Sequence, residues 1–316
     1  MKDRIEYNVV RLLIGFFQFF PYRLSTRLGV LLGSAYYLVD RRHREIALKN
    51  LRDAFKEEKS EREVNQIALA SFQNMGRSIV EFACLPKWTD AQVREGVKIE
   101  GHEHILAAQK QGRGMILLSA HFGNWEWMAL GLAARGIPMH VVARRMDNPY
   151  FDQMLQEWRG RFGNAIFSKQ QTPAAEIVAL LRKKGTVGFL LDQNTARDEA
   201  VFVDYFGRKA ATHKGLAVLA LRTGAPVVPV FFVRTKDGPR IMVEKALELT
   251  RSGMLKRDVF DATARFTRKI ESVVRRYPDH WLWVHRRWKT PPPHPSLIRA
   301  GIQVNTGHAP QTGAER

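Results

Sequence analysis

The chain has 316 residues, 45% of them hydrophobic and 26% charged, which excludes a disordered chain and a polytopic membrane protein and leaves a globular one. Lys and Arg total 50 against 31 Asp and Glu, a formal charge of +19, so a polyanion is the expected neighbour, either nucleic acid or an anionic membrane surface. The one cysteine, Cys84, can form no internal disulfide and asks for no oxidising compartment; at the end of a predicted helix, with no adjacent His or Lys, it reads as a core filler rather than a nucleophile.

Residues 9–39, VVRLLIGFFQFFPYRLSTRLGVLLGSAYYLV, are apolar and aromatic but interrupted by Arg11, Arg23 and Arg27. The uncharged stretches 12–22 and 28–39 fall short of the roughly 18 to 20 residues that one bilayer span needs. Pro21 is expected to separate two short helices lying in a membrane interface, aromatic rings in the acyl–headgroup boundary and arginines on phosphates. The alternative is a buried helical hairpin. A cleaved signal peptide is not expected, because no A-x-A-like site follows and Asp3 and Glu6 are among the first charges.

Helical spacing of apolar residues continues over 42–55 and 61–83. After Pro86 short apolar runs alternate with amphipathic stretches. Strands are expected at 97–100, 115–120, 139–143, 165–168, 186–191, 226–233 and 240–243, with helices at 125–134, 150–161, 173–184, 214–222 and 259–276. Helices between strands predict an α/β fold with a mostly parallel central sheet. No repeat and no second sheet-like block is visible. The division is therefore interfacial or membrane-anchoring helices at 1–40, one catalytic domain at 41–289 and, where five of the 14 prolines gather, a disordered tail at 290–316.

His121-Phe122-Gly123-Asn124-Trp125-Glu126 directly follows the strand at 115–120 and opens a predicted helix, the place where open α/β sheets collect ligands. Gly123 permits close approach and Asn124 suits a helix N-cap. A bare His-x4-acid spacing is weak; the strand end, glycine and helix start around it let ring and carboxylate converge. No P-loop, G-x-S-x-G elbow, H-E-x-x-H or paired cysteines occur, and His102-Glu103-His104 reads as a solvated helix start.

HFGNWE is similar to the His-x4-Asp/Glu motif of the glycerolipid acyltransferase superfamily, and its setting resembles the bacterial lipid A biosynthesis acyltransferases, the late lauroyl and myristoyl transferases. The resemblance runs from about Tyr22 to Lys289. It includes Arg27-Leu28-Gly29, Ala47-Leu48-Lys49-Asn50-Leu51, Ser78-Ile79-Val80-Glu81, Ala143-Arg144-Arg145 with Asn148, Asp192-Gln193, the run from Val201 to Gly207, Thr212, Thr223-Gly224-Ala225-Pro226 and the block from Trp281 to Lys289.

The resemblance implies transfer of an acyl chain from acyl carrier protein or coenzyme A to a hydroxyl of a glycolipid or phospholipid at the inner face of the cytoplasmic membrane. His121 would be the general base and Glu126 the carboxylate that orients it. Asn124, or nearby backbone N–H groups, would serve the oxyanion and Arg144 a phosphate, its bland alternative being a surface arginine. Asp192 and Gln193 end an apolar strand and would reach the same cleft, unless Asp192 simply caps a turn; Asn148 and Thr212 complete the expected substrate-binding set. No cofactor or metal is expected, since a thioester needs none. The aromatic-basic block 281–289 suits a lipid interface more than nucleic acid, so no nucleic-acid partner is expected. Other membrane lipids, such as a lysophospholipid, a phosphatidylinositol mannoside or an aminolipid, are the alternative acceptors.

Overall fold

The computed structural model describes residues 1–168 and 172–293, so the tail expectation beyond residue 293 lies outside the described residues. The helices, numbered in chain order, are α1 (Lys2–Phe19), α2 (Tyr22–Val39), α3 (Arg41–Phe55), α4 (Glu61–Cys84), α5 (Asp90–Glu95), α6 (His102–Lys110), α7 (Trp125–Ala133), α8 (Pro149–Gly160), α9 (Ala174–Arg182), α10 (Gly215–Thr223) and α11 (Leu255–Arg276). The strands are β1 (Lys98–Glu100), β2 (Met115–Ser119), β3 (His140–Ala143), β4 (Ala165–Ser168), β5 (Thr186–Leu190), β6 (Ala200–Tyr205), β7 (Arg208–His213), β8 (Val227–Thr235) and β9 (Gly238–Val243). All seven expected strands are present, and they make one sheet in the order β1-β9-β8-β2-β5-β3-β4, parallel throughout except where β8 meets β9.

Central strand β2 is buried at all five positions, as a strand covered on both faces must be. Its alternating side chains feed two cores. Ile116 and Leu118 pack with residues of α3, α4, α9, α10 and α11, whereas Met115 and Leu117 pack with α5, α6 and α7.

The hairpin β6–β7 was not anticipated as a second sheet. Its turn is only Phe206 and Gly207, both at positive φ (53° and 68°), the geometry that a two-residue hairpin needs. Phe206 is an unusual residue there, and burial explains it: its ring packs against Phe55 and Trp283 with the Arg275 guanidinium 4.7 Å above, while its N–H donates to Glu271. Tertiary packing, not turn propensity, forms this element.

Pro21 divides α1 from α2 as expected. Asp40 then caps α3 by accepting from the His43 N–H, and Ser60 with Glu63 forms a capping box on α4. Glycines bring α2 and α4 into backbone contact: a Cβ at Gly33 would lie 2.2 Å from the Phe72 carbonyl oxygen, and one at Gly76 would lie 2.2 Å from that of Gly29. The α1–α2 pair leaves large apolar side chains in water, with Leu12 76%, Phe19 81% and Val39 83% exposed. Among the described residues no helix is long and apolar enough to cross a membrane.

Gly33→Leu should therefore force α2 off α4 and lower stability by about 1–3 kcal/mol or more in chemical unfolding, although leucine is the better helix former. Gly15→Ala on α1, where an added Cβ meets nothing within 4 Å, is the control and should not destabilise.

Candidate active site

His121 is the second residue past the end of β2, and two long-range straps fix its backbone. The Leu282 N–H donates to the His121 carbonyl, and the Gly123 N–H donates to the His280 carbonyl at 2.8 Å. Gly123 itself sits at φ 57°, with its missing Cβ only 2.3 Å from the Phe232 carbonyl oxygen, so no larger residue fits that bend. Asn124 caps α7 by accepting from the Trp127 N–H.

The carboxylate that holds the ring is Asp192, two residues past the end of β5, and not Glu126. Asp192 Oδ1 lies 2.9 Å from His121 Nδ1, while Asp192 Oδ2 accepts from the His121 N–H at 3.0 Å and from Trp281 Nε1 at 2.8 Å. Parallel pairing of β2 with β5 carries Ser119 and Leu190 side by side, which puts the two residues after each strand within reach of one another. Burial opposes charge on both groups and is the largest single influence on each. Their mutual attraction outweighs it: the imidazole is raised above its ordinary 6.5, with Glu126 adding to the effect, and the Asp192 carboxyl is lowered, with Trp281 and the His121 N–H adding. Accepting from Nδ1–H leaves Nε2 as the proton acceptor. The Gln193 amide nitrogen stands 3.3 Å from Nε2.

Glu126 lies in the cavity wall beside His121 but is gripped from elsewhere. Arg159 on α8 donates Nε to Oε2 at 2.9 Å and Nη2 to Oε1 at 2.5 Å, and Trp125 Nε1 donates to Oε1 at 3.2 Å. A first-turn glutamate on α7 faces α8 across the mouth, so a fork from a guanidinium reaches it where the imidazole does not. Arg159 was not singled out in the sequence, being one more basic residue on an amphipathic helix.

The remaining expected residues divide sharply. Asn124 is buried, with its oxygen on Trp127 and its Nδ2 donating to Glu81 at 2.9 Å, so its side chain is spent on structure. Asn148 caps α8 and donates Nδ2 to the Asp3 carbonyl, tying α8 to α1. Thr212 is fully buried and accepts from Arg287 Nη2. Arg144 is exposed at the cavity rim, paired with exposed Asp147 at 2.6 Å.

The block 281–289 does not lie at a lipid interface as expected: Trp281, Trp283 and Arg287 are all at most 2% exposed. They brace the site from beneath. Asn50 donates to the Trp283 and His285 carbonyls, His285 Nε2 accepts from the Asn194 N–H, and Arg287 donates to the carbonyls of Ala211 and Gln193. Burial pulls the Arg287 pKa down to about 10, although Tyr205 and Asp192 oppose the fall.

Glu81 on α4 is another buried carboxylate, the most deeply enclosed of those described. It accepts from Tyr22, Arg77, Asn124 and Arg234, the last at 2.5 Å, so helix α2, the start of α7 and strand β8 converge on one fully buried group. Burial would raise its carboxyl, but Arg234, Asn124 and Arg77 together keep it low. Cys84 is buried near the same helix end, which pushes its thiol up, as suits a filler.

A cavity of about 1020 Å³ opens at His121, Trp125 and Glu126 and runs inward past Leu117, Met128 and Val141. An imidazole held by a carboxylate at the head of a largely apolar cavity is an arrangement suited to an enzyme with an apolar substrate. The model of the bacterial lipid A biosynthesis acyltransferases matches residues 6–290. The chain is 30% identical to the lipid A biosynthesis palmitoleoyltransferase of Escherichia coli over 86% of its own length and 87% of that protein, and equally to the lauroyltransferase of the same organism over the same shares. It is 26% identical to the phosphatidylinositol mannoside acyltransferase of Mycolicibacterium smegmatis over 69% of this chain and 71% of that one. The chain thus belongs to the bacterial lipid A biosynthesis acyltransferase family and is an acyltransferase.

In an NMR titration the His121 ring should protonate with a midpoint above 6.5, and Asp192→Asn should bring that midpoint down. A midpoint unmoved by the substitution would mean that Asp192 does not hold the ring.

Proposed function

We propose that the protein transfers a fatty acyl chain from a thioester, carried by acyl carrier protein or coenzyme A, to a hydroxyl of a lipid A precursor. The observation that carries this reading is a carboxylate-held imidazole whose Nε2, met by the Gln193 amide, lies at the head of the apolar cavity. The acceptor hydroxyl displaces the Gln193 amide and gives its proton to His121 Nε2 as its oxygen attacks the thioester carbonyl. Asp192 stabilises the imidazolium. When the tetrahedral intermediate collapses, the C–S bond breaks and the imidazolium returns the proton to the departing thiolate.

Glu126 keeps the Arg159 guanidinium in the cavity wall, a fixed cation for the oxygen that gains charge. The Arg144–Asp147 pair is solvent-exposed and weak, so Arg144 is available to a phosphate of donor or acceptor. The exposed apolar faces of α1 and α2, with their arginines, rest in the headgroup region of the cytoplasmic membrane and deliver the lipid from the cytosolic side.

With purified protein, acyl carrier protein thioester and lipid A precursor, mass spectrometry should detect one added acyl chain. His121→Ala should abolish it, and Asp192→Asn should cut kcat by about 10²–10⁴-fold. Since the base must be neutral and its pKa is raised, kcat/KM should climb with pH through a midpoint above 6.5. Acylation only of a phosphatidylinositol mannoside or lysophospholipid would move the acceptor to that lipid, and full activity in His121→Ala would overturn the mechanism. Phe19→Ser with Leu12→Ser should weaken flotation with anionic vesicles; unchanged flotation would rule out α1 as the contact.

A further inference from the structure

The cavity spans both faces of the sheet, because β3 and β5 part company. They pair only at His140↔Val187 and Val141↔Gly188, whereas β3 stays paired with β4 as far as Ala143↔Ser168. The cavity wall there draws on both cores, with Leu117, Met128 and Met139 on the α7 side and Ile177, Val178 and Leu219 on the side of α9 and α10. The cavity therefore has two arms that meet at the parted strands.

Their linings differ. The arm beneath α7 is lined mainly by Leu117, Met128, Ala129 and Met139, its Ser119 hydroxyl donates to Met128 Sδ, and Asn164 in its wall has both amide atoms engaged: Oδ1 accepts from the Met139 N–H at 2.9 Å and Nδ2 donates to the Ala129 carbonyl at 3.2 Å. The other arm collects Asp198, Lys214 and Arg222. An alkyl chain gains most where it displaces water from apolar surface and strips no charge of its hydration, which selects the α7 arm.

We propose that the acyl chain is measured in the α7 arm and that Gly188, with Met139 against it, is the residue that sets the chain length. This rests on the acyl-transfer reading above. Gly188 is buried on β5, halfway along the stretch from Leu190, level with the end of β2, back to Thr186, which spans about 13 Å. Its φ lies outside the left-handed region, so a side chain there meets no backbone strain. The three atoms nearest to a Cβ there would be Met139 Sδ at 3.2 Å, Val141 Cγ2 at 3.8 Å and Met139 Cγ at 3.9 Å, and Met139 is a flexible side chain that can give way. Any larger group at 188 thus enters the arm and halves its usable depth. Removing the Met139 side chain does the opposite.

The test uses the whole protein and a series of fatty acyl-coenzyme A thioethers of increasing chain length, which bind without reacting, followed by the matching thioesters. Gly188→Val should move the longest chain that still gains affinity to a shorter one. It should also cut kcat/KM for the best chain of the unaltered protein by about tenfold or more, while a shorter chain keeps its rate. Met139→Ala should shift both profiles to longer chains, and Val218→Phe, in the other arm, should shift neither. A Gly188→Val profile that matches the unaltered one in a protein with unchanged unfolding would overturn the proposal, as would a shift produced by Val218→Phe alone. Thioether binding that tracks chain length without any transfer would keep the ruler and sink the acyl-transfer reading instead.

Discussion

Most of this structure depends on one buried carboxylate being satisfied. Asp192 is removed from water, a large cost for a charge unless every lone pair finds a donor. Three donors meet it: the His121 ring, the His121 backbone N–H and the Trp281 indole. The first two come from the end of β2 and the third from a segment 160 residues further on. The site therefore cannot be assembled locally. It needs β2 and β5 in register, and it needs the C-terminal segment laid under both strands and bonded to residues 121 and 123. The buried Trp281, Trp283 and Arg287 hold that segment in place, and so does Asn50 from the helical start of the catalytic domain.

Much of the fold was legible because it rests on local patterns. Runs such as 115–120 and 226–233 are apolar enough to be central strands, and the helices between them show the spacing that forces parallel pairing. What escaped were elements formed by distant packing. The β6–β7 hairpin turns on Phe206 at positive φ, which no turn rule would place there. In the site, His121 was legible from the strand end, glycine and helix start around it, but its partner was not. Sequence proximity favoured Glu126, five residues away, whereas neighbouring parallel strands brought Asp192 from 71 residues away. Arg159 gave no signal at all. Asn124 and Thr212 carry the polar chemistry of binding residues, and only burial and hydrogen bonds reveal them as struts. The aromatic-basic block was misread for the same reason, since interleaved Trp and Arg look alike whether they face lipid or a core.

The buried carboxylates Asp192 and Glu81 also divide the work of the molecule. Asp192 holds the His121 ring, while Glu81 joins helix α2 to the start of α7 through Tyr22 and Asn124. Replacing either by an apolar residue would strip an acceptor from several buried donors at once.

The glycine seam between α2 and α4 has a consequence for how the chain can be cut. A boundary near residue 40 looks like a natural place to separate an anchor from a soluble catalytic body. Yet α2 lies in backbone contact with α4, and its Tyr22 hydroxyl completes the shell around Glu81. Excision there would bare a strip of peptide carbonyls at Phe72 and Gly76 and loosen the strut behind Asn124. The first forty residues are part of the enzyme's frame, and solubility would have to be gained by repainting their outer face rather than by removing them.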